Sequence, residues 1–355
     1  MRRPNIATGR RLGDVEESHV VAIAEGAERY SGFHFNRSMT WASRRELDGA
    51  VLDLSRIPRC SASELSAPGC PLLELDPDAP MRWIRGIDLV SGIAIWVPAI
   101  MVCYFLRDAA RSERFWNRLS TGYAAHTDPV EALVRGICEV IERDAIAVSW
   151  LQKLPLPVIA EGILSDETVG MLDWSRRHFI DSYLFDATTD MAVPAAFCLQ
   201  IAPHDQRAAQ TLGCATGRSI RSAAQHALLE ACTSRSSFYT DEELPANFAD
   251  FKMVSDGARY MAEPARAGAF GFLVDGARHR VAPARRSLPA DSRETLAWLI
   301  AMLRRKEMQV IAVDRTTNEL RAAGLTAVSV VIPDLQPRAT RRSGRLRAAA
   351  CARSR

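Results

Sequence analysis

Two short motifs that combine two glutamates with an arginine recur in this chain at the same internal spacing. They are Glu25-x-x-Glu28-Arg29 and Glu139-x-x-Glu142-Arg143. Both lie in segments that the sequence pattern predicts to be helical, where residues three or four apart share a face. Carboxylate oxygens are suited to Mg²⁺, and arginine binds phosphate oxygens in a bidentate geometry. Two such helices on one domain predict a site for a metal–nucleotide that needs no glycine-rich loop.

Either motif alone also fits an ordinary surface helix, in which glutamate and arginine form charge pairs at i,i+3 and i,i+4. The repetition of the motif favours a shared site over two unrelated surface pairs. The histidines add no metal site, because none of the pairs among His126, His178, His204, His226 and His279 has i,i+3 or i,i+4 spacing.

Apolar periodicity predicts the elements that position the two motifs. A first helix is expected at residues 14–30 and a loop-rich surface excursion at residues 41–80. A hairpin is expected at residues 82–106, with its turn at residues 90–92. The long second-motif helix begins with Asp128 as N-cap and Pro129 at its first position.

Further helices are expected from about Ser219 to Ser234 and from Asp291, where Glu294 completes a capping box. The C-terminal part of the folded domain is predicted to form a strand, a helix and a strand, with Gly324 as the helix C-cap. Strands and helices alternate without a regular βαβ series. The fold class is therefore predicted as mixed α/β, with a β-sheet packed against the helices that carry the motifs.

The composition indicates an ordinary soluble globular protein, with 48% apolar and 25% charged residues. The eight cysteines form no C-x-x-C pair, so neither a zinc site nor a redox motif is indicated. The N-terminus has no apolar segment of a signal peptide, and we expect a cytoplasmic protein. Residues 89–106 carry no charge, but a serine, a glycine and a proline interrupt them, which favours a buried hairpin over a membrane span.

The last residues differ in charge from the rest of the chain. Residues 338–355 hold seven arginines and no acidic residue, whereas the rest has 38 basic and 42 acidic residues. We expect residues 1–337 to form the folded domain and residues 338–355 to be a disordered basic tail. No aromatic residue interleaves these arginines, so no nucleic-acid partner is predicted, and no membrane partner is predicted either.

Five segments in order resemble the YcaO domain, in particular its azoline-forming cyclodehydratase branch. The segments, which together run from about Gly9 to Pro337, are AIAEGAERYSG, WVPAIMV, STGYAAHTDPVEALVRGICEVIERDAIAVSWLQKLPLP, GCATGRSIRSAAQHALLEACTSR and IAVDRTTNELRAAGLTAVSVVIPDLQP. The last of them resembles a C-terminal βαβ unit of the family. The order of the five segments is more specific than any one of them.

The resemblance implies an enzyme that uses ATP and Mg²⁺ to activate backbone amides of a ribosomal precursor peptide. A Cys, Ser or Thr side chain of the peptide attacks the preceding carbonyl, and phosphorylation makes the amide oxygen a good leaving group. The products are thiazolines or oxazolines, as in bacteriocin maturation. The resemblance leaves open a thioamide- or amidine-forming enzyme, or a catalytically reduced scaffold that binds a partner modification protein.

The resemblance also assigns site residues, although it assigns no catalytic residue. The metal-linked carboxylates would be Glu25, Glu28, Glu131 and Glu142. The ATP-binding residues would be Arg10, Arg11, Arg29, Thr127, Glu139, Arg143 and Arg235.

Several positions depart from the family pattern. A serine usually four residues before the first motif is Val21 here, and an asparagine four residues before the Glu131 position is Thr127. A glutamine of the third helix is Thr233, and the chain ends in arginines instead of the proline-rich end of many cyclodehydratases. These departures raise the hypothesis of weakened ATP use.

The resemblance implies partners as well. The substrate would be a precursor peptide, and the short segment before the first motif leads us to expect a separate leader-binding protein. A flavin dehydrogenase that oxidises the rings, and a homodimer or hetero-complex, are further expectations.

Overall fold

The computed structural model describes residues 9, 14–33, 39–67, 70–240, 243–244, 251, 254–277 and 280–336. Arg10, Arg11 and the basic tail lie outside these residues. The described chain forms two compact units, each with its own sheet. The first unit contains the described residues up to Arg143 together with residues 289–336, and the second contains those of Asp144–Leu288. The mixed α/β prediction is confirmed.

Helices and strands alternate irregularly along the chain. The α-helices are α1 (Val15–Phe33), α2 (Ala62–Leu65), α3 (Ala99–Val102), α4 (Pro129–Gln152), α5 (Asp166–Arg177), α6 (Ile220–Ser237), α7 (Val254–Ala262), α8 (Gly271–Ala277), α9 (Ser292–Arg305) and α10 (Asn318–Ala322). The strands are β1 (Thr40–Ala42), β2 (Ala50–Val51), β3 (Met81–Asp88), β4 (Ala94–Pro98), β5 (Tyr123–His126), β6 (Asp181–Asp186), β7 (Ala195–Ile201), β8 (Gln210–Thr216), β9 (Ile311–Asp314) and β10 (Thr326–Val331).

The first unit is built on a seven-stranded sheet in the order β2-β4-β3-β9-β10-β5, with β1 paired to β3. The predicted hairpin is present as the antiparallel pair β3 and β4, although its second strand ends at Pro98 and α3 follows. Residues 41–80 were predicted to be a surface loop, and this prediction is wrong for the middle of the segment. Leu52, Leu54 and Ile57 are buried in the same core as Trp83, because β2 joins the sheet beside β4 and draws this segment inward.

The strand, helix and strand predicted for this C-terminal part of the domain are present as β9, α10 and β10, but the parallel pairing that a βαβ unit implies is wrong. Strand β9 pairs with β10 in antiparallel register, with Asp314 opposite Val328. Parallel neighbours need a crossover of a dozen or more residues, and the connection between these strands is shorter and contains only the brief α10. Ala323 is the C-cap of this helix, and Gly324 follows it with φ +71°, the place where a glycine commonly terminates a helix.

The second unit holds an antiparallel three-stranded sheet in the order β6-β7-β8. Helix α6 packs against it through buried alanines such as Ala223, Ala227 and Ala231. Gly213 on β8 permits this approach, because a Cβ there would lie 2.0 Å from the Ala227 carbonyl oxygen. Ser219 caps α6 by accepting a hydrogen bond from the Ser222 backbone, so the predicted helix start is confirmed.

Among the described residues, no helix combines the length and apolar character that a membrane crossing requires. The uncharged stretch at residues 89–106 instead contributes β4 and α3 to the core of the first unit.

Candidate active site

Helices α1 and α4 carry the two motifs, and both motifs belong to the first unit. Helix α1 packs on the sheet through Ala27, which shares a small apolar cluster with Ala125 of β5, Ala327 of β10 and Leu320 of α10. The sheet therefore fixes which face of α1 is turned inward. This agrees with the prediction that a sheet packs against the helices that carry the motifs.

Two glycines hold α4 close to the same end of the sheet. Gly122 has φ +82°, and a Cβ there would lie 2.0 Å from the Val330 carbonyl oxygen. Its own carbonyl accepts a hydrogen bond of 2.7 Å from the Val330 backbone. Gly136 on α4 faces this turn, since a Cβ there would lie 3.0 Å from the Gly122 carbonyl oxygen. The second motif begins less than one helical turn after Gly136.

The α4 motif is held by a connected set of polar contacts. The Gly122 backbone N–H donates to Glu139 Oε2 at 3.0 Å. Arg143 Nη2 lies 3.3 Å from Glu139 Oε1 and 3.4 Å from Glu142 Oε1. All three side chains are largely buried, with 12–23% of each exposed. The guanidinium thus bridges both motif carboxylates.

The α1 motif contains an ion pair of its own. Arg29 Nη2 donates to Glu25 Oε1 at 2.7 Å, while Arg29 Nε is buried and has no hydrogen-bond partner among the described residues. Glu28, the middle residue, is half-buried. The two motifs are therefore unequally ordered by their surroundings.

The two motifs are coupled electrostatically through Glu28 and Glu139. Burial raises the pKa of Glu28 well above its ordinary value, and the carboxylate of Glu139 on α4 raises it further. Burial likewise raises the pKa of Glu139, against the opposing effects of Arg143 and then Arg29. These two carboxylates therefore influence each other electrostatically, and their convergence on one metal–nucleotide site stays a prediction.

Glu131 is placed apart from this group. It lies eight residues before Glu139 in α4, about 12 Å along the helix axis. Its carboxylate accepts from Arg135 Nε at 3.0 Å and from Ser292 Oγ at 2.7 Å. Among the described residues, no three His, Cys, Asp or Glu side chains are arranged to hold a metal ion, so metal binding by Glu25, Glu28, Glu131 and Glu142 stays a prediction.

The chemistry of the cluster nevertheless fits a hard cation. Its candidate donors are carboxylate oxygens, which are the ligands of Mg²⁺, and nucleotide phosphates and water complete such sites in proteins. Burial first, and then the carboxylates of Glu139 and Glu25, raise the pKa of Glu28, and a bound cation would favour the ionised carboxylate there.

The remaining ATP-linked residues are placed as follows. Arg235 lies on α6 in the second unit, where Nη1 donates to Asp205 Oδ2 at 2.9 Å and to the Ala208 carbonyl at 2.6 Å. Its Nη2 is buried without a hydrogen-bond partner among the described residues. Thr127 is exposed just before the Asp128 cap. A phosphate contact by Arg235 or Thr127 stays a prediction.

Sequence reasoning missed Gly122 and Ser292, which hold Glu139 and Glu131. The signal for Gly122 was a glycine shortly before the predicted second-motif helix, since glycine readily adopts positive φ. No local signal indicates Ser292, because its contact joins residues that are far apart in the chain.

Comparison with known proteins agrees with this architecture. A family model described as YcaO cyclodehydratase, ATP- and Mg²⁺-binding, matches residues 12–336. The chain belongs to the YcaO family. An uncharacterized protein in the tfuA 3′ region of Rhizobium leguminosarum bv. trifolii is 30% identical over 160 residues, which cover 44% of this chain and 35% of that protein.

Solved structures share the fold of this YcaO protein. A heterocyclase in complex with substrate and cofactor has a TM-score of 0.77 at 18% identity, over 93% of this chain and 44% of that one. The YcaO protein from Methanopyrus kandleri bound with AMPPCP and Mg²⁺ has a TM-score of 0.64 at 16% identity, over 89% of this chain and 75% of that one. This YcaO chain thus spans less than half the length of the Rhizobium protein and of the heterocyclase.

The predicted family is therefore confirmed, and with it the family's cofactors. ATP and Mg²⁺ are the cofactors named for the family to which this chain belongs. The cluster on α1 and α4 is the place in the first unit where we predict that they bind.

Proposed function

We propose that this YcaO protein uses ATP and Mg²⁺ to activate backbone amides of a ribosomal precursor peptide and closes thiazoline or oxazoline rings. The observation that carries the proposal is the meeting of the two glutamate–arginine motifs in one unit, where Glu28 and Glu139 interact. The name of one structural relative, a heterocyclase in complex with substrate and cofactor, supports ring formation as the reaction.

The chain's own residues would act by charge and position. Glu25, Glu28 and Glu142 would hold Mg²⁺ at the inner face of the cluster, with Glu131 at the far end of α4, and Glu139 would support the nucleotide. Arg29 and Arg143 would neutralise phosphate oxygens, as phosphoryl transfer requires. ATP supplies the phosphoryl group that converts the amide oxygen of the cyclised peptide into a leaving group.

A second candidate function is a scaffold that keeps the fold and lacks turnover. The substitutions at Val21 and Thr127 favour it, since a valine side chain offers no oxygen to a metal or a phosphate. The same amide activation with an external nucleophile, giving a thioamide or an amidine, is a third outcome that the product mass identifies.

We also propose that a separate protein presents the peptide to this chain. The Rhizobium relative is named for its position in the tfuA 3′ region, so the product of the neighbouring gene is the first partner to test. Copurification of the two proteins, with and without a precursor peptide, would test this assignment.

Calorimetry of ATP binding with and without Mg²⁺ tests the nucleotide site directly. We expect Mg²⁺-dependent binding by the wild type and at least a tenfold loss, about 1.4 kcal/mol, in Glu142→Gln. Thermal stability of this variant should stay near that of the wild type. The exposed Glu167 on α5 provides the control Glu167→Gln, which should bind like the wild type.

No binding by a folded wild type would contradict the enzyme and favour the scaffold. Mass spectrometry of a treated precursor peptide then separates the reactions. Loss of water indicates azoline formation, whereas exchange of oxygen for sulfur indicates a thioamide.

A further inference from the structure

Arg315 is a buried arginine that the proposed chemistry does not use. It follows β9 directly, only 5% of it is exposed, and its backbone N–H donates to the Ala327 carbonyl at 2.8 Å. The sheet therefore fixes the backbone from which this long side chain extends.

The guanidinium of Arg315 reaches the end of α1. Its Nη2 donates to the Ser31 carbonyl at 3.1 Å, and Ser31 is fully buried. The last carbonyls of a helix lack partners within the helix and carry partial negative charge, so a cation there is stabilising. The last turn of α1 contains no basic residue of its own. Arg315 thus caps the C-terminal end of α1 from the sheet. The carbonyl that it contacts belongs to Ser31, three residues after Glu28.

The same side chain also reaches the start of β5. Burial raises the pKa of Tyr123 to about 12, and a hydrogen bond from Arg315 is among the effects that oppose this rise. The Tyr123 hydroxyl in turn donates to the Val102 carbonyl at 2.6 Å and accepts from the Tyr104 backbone at 3.2 Å. Tyr123 directly follows Gly122, whose N–H holds Glu139.

We propose that Arg315 is a positioning residue for the carboxylate cluster, because it joins the end of α1 to the turn that holds Glu139. One planar guanidinium contacts both supports and so fixes the distance between Glu28 and Glu139. The expected effect on ATP binding rests on the proposed function. The link between the end of α1 and the turn that holds Glu139 can be tested without nucleotide.

The test compares Arg315→Met and Arg315→Lys with Arg56→Met. Arg56 is a matched control in the same unit, since it is largely buried and pairs with Asp334 at 2.8 Å. Arg315→Met removes the charged hydrogen bonds that join the two supports, so it should weaken Mg²⁺-dependent ATP binding about tenfold or more. Arg56→Met should change it little at a temperature where both variants are folded.

Arg315→Lys keeps the charge and loses the planar fork, so it should restore only part of the binding. Equal loss of affinity in Arg315→Met and Arg56→Met would overturn the proposal, because it would show general destabilisation. Full binding by Arg315→Met would overturn it as well.

Hydrogen exchange of the nucleotide-free protein separates this inference from the proposed function. The amides at the end of α1 and at residues 121–123 should exchange faster in Arg315→Met than in Arg56→Met. If the wild type binds no ATP but this difference is observed, the link stands and the proposed function fails. If exchange at both places is unchanged, the link is disproved whatever the protein binds.

Discussion

The α1 motif and the α4 motif share one sequence pattern but have different surroundings. On α4, Arg143 contacts two carboxylates and a backbone N–H holds Glu139. On α1, Arg29 pairs with Glu25, and its Nε has no hydrogen-bond partner among the described residues. The α4 motif is therefore ordered by the fold, whereas the α1 motif retains groups that a ligand could satisfy.

The two helices also differ in how much of their apolar surface is buried. Val15, Val20 and Ile23 on α1 are 63–70% exposed, while Val134 and Ile137 on α4 are buried. A helix with less buried apolar surface opens locally at lower free energy. The difference teaches that the fold alone holds the α4 half of the proposed site, and that Mg²⁺ and nucleotide would stabilise the α1 half most.

The largest expected effect on stability comes from substituting the glycine of the turn that fixes the α4 half of the site. Gly122→Ala should lower the free energy of unfolding by about 3 kcal/mol or more, because its Cβ would clash with backbone at a positive φ. Gly92 also has positive φ, at +75°, but a Cβ there would meet no atom of the described residues within 4 Å. Gly92→Ala should therefore cost only about 1 kcal/mol.

Urea unfolding of both variants measures this difference. Equal midpoints for Gly122→Ala and Gly92→Ala would show that the close approach of Gly122 to Val330 relaxes at little cost. The α4 half would then be no more rigid than the α1 half.

A smaller effect is expected from Glu28, where the two halves meet. Because its pKa is raised from the ordinary 4.5, the folded state favours its protonated form. Its contribution to stability is present below that ordinary pKa and is lost as the pH rises through the raised pKa. In EDTA, Glu28→Gln should therefore melt a few degrees above the wild type at neutral pH, and the two should converge in acid.

The exposed Glu16 on the same helix supplies the control, since Glu16→Gln should not show this pH-dependent gain. Mg²⁺ with ATP should stabilise the wild type more than Glu28→Gln. A lower melting temperature for Glu28→Gln at neutral pH would contradict the cost of ionising this buried carboxyl beside Glu139.

The smallest expected effect is the difference in stability between lysine substitutions at Arg143 and at Arg29. Arg143 bridges two carboxylates whereas Arg29 pairs with Glu25, so Arg143→Lys should cost more stability than Arg29→Lys. Partly exposed ion pairs contribute about 0.2–1 kcal/mol, so the difference should lie within that range. Chemical denaturation with a double-mutant cycle through Glu142 would measure it, and equal costs would place both arginines in equivalent surroundings.

Local signals predicted much of the fold. The Asp128 and Asp291 caps, the Ser219 start and the Gly324 end agree with the structure because capping depends on a few neighbouring residues. The burial of Leu52 and Leu54 and the antiparallel pairing of β9 with β10 were missed. Both depend on strand partners that are distant in sequence.

The candidate site shows the same division. The sequence alone determined which residues could bind Mg²⁺ and phosphate, through the types and spacing of the two motifs and the ordered family segments. Only the tertiary structure decided that Glu139 acts electrostatically on Glu28, that Glu131 pairs with Ser292, that the Gly122 N–H holds Glu139, and that Arg315 reaches the end of α1. Spacing within a helix fixes a shared face, but the approach of two helices is fixed by close packing against a common sheet.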